Sequence, residues 1–171
     1  MKKIILCAMS LLFAIGAFAQ TQEFGVVVGG LNGLSYKKIM SENFAIQTDL
    51  AVGFQSTTAL EEFTYIRGKI DIFDFTLNPN FLYNKELSHG LYAFAGGGVN
   101  LGLAQDLPNG FITFGKFGLN AMLGAGYKMD NVPLSFSLDF RPGYALLLNY
   151  YYETVWHIFD WHLAASVRYC F

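Results

Sequence analysis

The sequence predicts an all-β fold: a closed antiparallel up-and-down transmembrane β-barrel of eight strands, preceded by a cleaved signal peptide. Three observations predict it. The chain is 53% hydrophobic and 17% aromatic but only 14% charged, well below the quarter or so usual in soluble domains. After the leader, no stretch approaches the ~18 consecutive apolar residues of a membrane-spanning helix. Instead, apolar and polar residues alternate with period two over segments as long as barrel strands. Only helices and closed barrels satisfy every backbone group inside hydrocarbon, so an apolar chain without an apolar helix points to strands.

The N-terminus reads as a leader. Lys2 and Lys3 form a charged start, Ile4 to Phe18 an apolar stretch, and Ala17-Phe18-Ala19 a small-x-small cleavage site before Gln20. Residues 1–19 are therefore the signal peptide and residues 20–171 one barrel domain. Cys7 lies inside the apolar stretch, not after it, which argues against a lipoprotein. Losing Lys2 and Lys3 takes the formal charge from −2 to −4, so nothing suggests a nucleic-acid partner. With Cys170 alone remaining, no intrachain disulfide and no cysteine-based metal site is possible.

The strands follow in order. Glu23 to Gly30 and Gly33 to Met40 flank Leu31-Asn32-Gly33, whose Asn-Gly is a tight-hairpin signal. Leu34 and Tyr36 face out in the second of these, Ser35 and Lys37 in; the first strand leaves its facing open. Phe44, Ile46, Thr48, Leu50, Val52 and Phe54 alternate with Gln47, Asp49, Gly53 and Gln55. Phe73, Phe75, Leu77, Phe81 and Tyr83 alternate with Asp74, Thr76, Asn78 and Asn80. Leu91, Ala93, Ala95, Val99, Leu101 and Leu103 alternate with Gly96, Gly98, Asn100 and Gly102. Phe117 to Tyr127 and Leu134 to Leu148 repeat the pattern, with Lys116, Asn120, Asp139 and Arg141 facing in. The last strand is the cleanest. Phe159, Trp161, Leu163, Ala165, Val167, Tyr169 and Phe171 face out, and Asp160, His162, Ala164, Ser166, Arg168 and Cys170 face in. No soluble edge strand tolerates such an outward row.

An even strand number puts both termini at one end, with short turns there and longer loops opposite. Ser41-Glu42-Asn43, Asn84 to His89 and Asp130-Asn131 are the short turns. Ser56 to Arg67, Gln105 to Thr113 and Asn149 to His157 are the longer loops. Tyr83, Tyr127, Tyr169 and Phe171 form one aromatic girdle; Tyr144 and Trp161 belong to the opposite one.

The whole domain resembles the porin-like family of small eight-stranded outer-membrane β-barrel proteins of Gram-negative bacteria. The residues that carry the resemblance are Gly30-Leu31-Asn32-Gly33-Leu34-Ser35-Tyr36, Ala95-Gly96-Gly97-Gly98-Val99 and Val167-Arg168-Tyr169-Cys170-Phe171. It implies an outer-membrane location. It also implies that the last strand, with Tyr169 and Phe171, is the insertion signal read by the barrel-assembly machinery.

An eight-stranded barrel has an interior filled by side chains. Lys37, Asp49, Asp74, Lys116, Asp139, Arg141, His162 and Arg168 are expected to form a lumen network that seals it, because buried charges must be paired. The inward glycines are expected to make room for arginine and lysine stems from opposite strands, or to permit tight curvature. A narrow small-solute or ion channel is the alternative use of the same residues. A lipid-modifying barrel enzyme would need a nucleophile, a base and an acid together. His162 and Ser166 share a face but lie about 13 Å apart along a strand, so no catalytic residue is assigned. No cofactor and no metal site is expected either. Function then falls to the outer loops. Tyr150, Tyr151, Tyr152 and Trp156 are the candidate apical surface for an extracellular protein or glycan, on a monomer whose constant partner is outer-membrane lipid. The reading is a non-enzymatic envelope-structural or surface-interaction protein.

Overall fold

The computed structural model describes residues 21–61, 67–107, 112–149 and 154–171. The expected leader, residues 1–19, lies outside these, as do Tyr150, Tyr151 and Tyr152. Eight antiparallel strands run up and down in chain order: β1 (Gln22–Gly29), β2 (Leu31–Ile39), β3 (Phe44–Glu61), β4 (Arg67–Ser88), β5 (Leu91–Asp106), β6 (Ile112–Lys128), β7 (Leu134–Asn149) and β8 (Thr154–Cys170). β1 pairs with β8, from Glu23 opposite Cys170 to Gly29 opposite Ala164, and this closes the barrel.

Period-two alternation sets the facing of every strand. Phe24, Val26 and Val28 are exposed while Glu23 and Val27 are buried, which fixes the first strand. From Phe44 to Phe54, Phe73 to Tyr83 and Phe159 to Tyr169, the outward positions form an exposed apolar belt. Such a belt in water would aggregate; in a bilayer it is the lipid-facing band. The girdle at the end carrying the termini is present. Phe44 packs edge-on against Tyr83 with ring centres 5.5 Å apart, and Tyr169 stacks on Phe171 at 6.4 Å.

Three local expectations are corrected. The first turn is not Leu31-Asn32-Gly33 but centres on Gly30. Gly29 takes a φ of +127°, which only glycine adopts readily, so the chain reverses one step early. Asn32 then sits within β2. Its side chain closes the turn, donating to the Gly29 carbonyl at 3.0 Å and accepting from the Gly29 amide at 3.2 Å. Second, Asn84 to Ser88 is strand, not turn. Only His89 and Gly90 connect β4 to β5, both at positive φ as a two-residue hairpin requires. Third, the long outer loops are mostly strand: β3 and β4 run to Glu61 and from Arg67, and β7 and β8 to Asn149 and from Thr154.

The strands are unequal, and this reshapes one end. β1 and β2 stop at Gly30, while β3 and β8 continue beyond them and pair directly at Ala59–Ile158, Leu60–His157 and Glu61–Trp156. The ring is eight-stranded near the termini and six-stranded near the loops. Fewer strands enclose a narrower interior. There the inward residues are apolar: Ala59, Ile70, Ile72, Ala104, Phe114, Ala145, Leu147 and Ile158 pack together. Trp156, expected at the apical surface, belongs to this packing instead, with its ring edge-to-face to Phe114 at 6.4 Å.

Candidate functional site

The eight-stranded section holds the polar interior, arranged as separate clusters. Nearest the apolar section, Lys116 on β6 is ion-paired to Asp74 on β4 and, at 2.6 Å, to Asp160 on β8. Asp160 also takes the His162 Nε2 at 2.7 Å. The register brings these together: Asp74, Lys116 and Asp160 each stand two residues below an inward apolar residue, namely Ile72, Phe114 and Ile158.

The next cluster centres on Arg141 of β7. Its guanidinium bonds Asp139 two residues away and Asp49 from β3 across the barrel. Gln47 Nε2 donates to the same Asp49 carboxylate at 3.0 Å. Two carboxylates thus hold one planar cation, with Arg141, Asp49 and Asp139 each at most 2% exposed. Arginine suits this position because its fork donates in fixed directions to more than one acceptor.

Below it, Arg168 donates to Ser35 at 2.8 Å and Ser137 at 3.0 Å, with the Glu23 carboxylate 4.0 Å away. Glu23 in turn accepts from Ser135 at 2.8 Å. Lys37 stands apart. Its ammonium donates to the neutral Asn84 Oδ1 at 3.2 Å and lies 4.6 Å above the Tyr92 ring. The interior is therefore not one ladder of ion pairs from Lys37 to Arg168. Amides fill between the clusters, with Asn120 bonded to Asn80 at 2.6 Å.

Asp160 and Glu23 are lumen-network members that the sequence reading did not single out. Asp160 was recognised as inward, but its closeness to Lys116 depends on strand register. Glu23 lies on the strand whose facing stayed open. Tyr92 and Phe94 were also missed as inward aromatics. Two of the inward glycines serve these rings rather than cationic stems: a Cβ on Gly124 would lie 2.4 Å from Phe94 Cζ, and one on Gly126 2.4 Å from Tyr92 Cζ. The signal was present, since glycine on a neighbouring strand directly opposite an aromatic leaves space for the ring.

Of the remaining sequence candidates, Cys170 is buried and free. Tyr169 is exposed in the terminal girdle with Phe171 beside it. Tyr144 and His157 are hydrogen-bonded to each other on the outer surface, away from His162. Among the described residues no group of three or more metal-ligating side chains converges.

No protein-family model matches the chain, and no curated protein sequence matches it. Solved structures do. Neisserial surface protein A matches over 88% of this chain and 93% of its own, with a TM-score of 0.52 and 15% identity. Ail, the attachment invasion locus protein of Yersinia pestis, matches over 86% and 93% at 13% identity, with a TM-score of 0.35. The first similarity shows the fold, that of small eight-stranded outer-membrane barrels; the second adds no weight to it.

Proposed function

We propose that the protein is an integral outer-membrane barrel with a closed lumen, serving the cell surface or envelope rather than catalysis or transport. The observation that carries this is the apolar packing of the six-stranded section on top of the ion-paired interior. An ion crossing the barrel would leave the Lys116 cluster and enter a region lined by Ile70, Ile72, Leu147 and Ile158, where an unpaired charge is strongly disfavoured. Each cation of the Lys116 and Arg141 clusters is already held by two carboxylates, which disfavours their use as a relay. The His162–Asp160 pair is buried in the lumen and joined to Lys116, an arrangement that reads as part of the ionic packing.

In this reading the termini face the periplasm and the loops face outward. The barrel-assembly machinery inserts the chain by its Tyr169–Phe171 end, and the protein acts as a monomer. Tyr150, Tyr151 and Tyr152, which lie outside the described residues, are in this reading offered to an extracellular protein or glycan. Trp156, the fourth candidate, packs on Phe114 instead. The test is single-channel recording of the refolded protein in a planar bilayer, with a heat-modifiable gel shift to certify folding. A gel shift without steady conductance is the expected result. Steady ion-selective openings overturn the closed lumen and make the interior charges a conduction path.

A further inference from the structure

At the barrel mouth beside the termini lies a cavity of about 370 Å³, lined among others by Glu23, Lys37, Asn84, Tyr92, Glu86 and Lys128. That volume falls at the low end of small-molecule sites, roughly 300–1,000 Å³. Two donors stand out in its lining. Lys37 is 3% exposed, and its ammonium is bonded to a neutral amide rather than a carboxylate. The Tyr92 hydroxyl is buried with no hydrogen-bond partner among the described residues. A buried ammonium and a buried unpaired hydroxyl are both costly unless something completes them. They are also held in place. Tyr92 rests against Gly126, where a Cβ would collide with its ring, and Lys37 lies over that ring.

The rest of the lining has the opposite sign. Glu42, Glu86 and Asp130 are exposed side chains of the same cavity, and half-buried Lys128 stands beside them. An ammonium and a hydroxyl within, with three carboxylates outside, match a molecule that carries a carboxylate at one end and an ammonium at the other. Glu23 also borders the cavity, but its carboxylate is engaged by Ser135 and lies near Arg168.

We propose that this mouth binds a small zwitterion of the amino-acid or short-peptide class. Its carboxylate accepts from Lys37 Nζ and the Tyr92 hydroxyl, and its ammonium meets Glu42, Glu86 and Asp130. The site is distinct from the loop end, so the closed lumen can fail without it and it can fail without the closed lumen. That the zwitterion comes from the periplasm rests on the orientation proposed above.

Isothermal titration of the refolded protein in nanodiscs with diglycine tests it. Saturable binding is expected, falling about tenfold or more for diglycine amide, because a hydrogen bond to a charged group is lost. N-acetyl-diglycine, which lacks the ammonium, should bind several-fold more weakly. Lys37→Met should abolish binding with the gel shift retained. Tyr92→Phe removes a single hydroxyl without altering the ring, and should weaken binding severalfold; it keeps the test valid should Lys37→Met misfold. No saturable binding of diglycine, or equal binding of the acid and the amide, overturns the proposal. Acetate binding as tightly as diglycine overturns the zwitterion and leaves a plain carboxylate site.

Discussion

Compare the two sections of the barrel along the same strands. Toward the termini, Asp74, Asp160 and Lys116 point in and Phe75, Trp161 and Phe117 point out. Toward the loops, Ile70, Ile158 and Phe114 point in, while Lys69, Thr58 and Thr113 point out. Across these positions the alternation holds, yet its polarity inverts. One section is built like a membrane barrel and the other like a small soluble one. The difference teaches that the solvent outside the wall decides what the interior is. Where lipid covers the outer face, apolar residues go out and the narrow lumen must hold polar groups in pairs. Where water covers the outer face, ordinary hydrophobic burial returns.

The inversion divides the expected effects of substitution, from the largest down. Arg141→Ala leaves Asp49 and Asp139 buried together without their cation. We expect a loss of about 3–5 kcal/mol, as for breaking other buried pairs, read from urea unfolding in lipid vesicles; an unchanged midpoint would break the ionic half of the comparison. Leu147→Ala removes apolar bulk from the six-stranded section, at about 2–5 kcal/mol. No loss there would mean that the section is not a packed core. Arginine on the outer face then maps the boundary. Leu77→Arg should cost about 2–4 kcal/mol and Thr58→Arg only about 0–1, so equal costs would erase the division.

The two tryptophans sharpen the comparison without perturbing stability much. Trp161 is exposed in the belt and Trp156 is packed inward near the loops. In bilayers of brominated lipid, the Trp156→Phe variant, which retains Trp161, should be strongly quenched. The Trp161→Phe variant should be quenched weakly. The reverse ranking would place the belt at the wrong height.

Much of this was legible in the residues. The inversion itself is written as apolar doublets: Ile72-Phe73 before Asp74, and Ile158-Phe159 before Asp160. Each doublet is the step at which an inward apolar residue is followed by an outward one. Reading Ser56 to Arg67 and Asn149 to His157 as loops hid it, because a loop has no inside. The rings beside two of the glycines were hidden for a related reason. Gly124 and Gly126 meet the rings of Phe94 and Tyr92 only once β5 and β6 are set side by side in register.

By itself the sequence determined the fold class, the strand number, the facing of nearly every strand and the lipid belt, because period-two alternation is local and needs only neighbours along the chain. The partners inside the barrel were left to the tertiary structure. Lys116 meets Asp160 and Arg141 meets Asp49 because the stagger of closed strands brings distant positions to one level. The early stop of β1 and β2 at Gly30 lets β3 and β8 pair directly, so the upper ring is six-stranded and its inward apolar residues meet in one packed cluster.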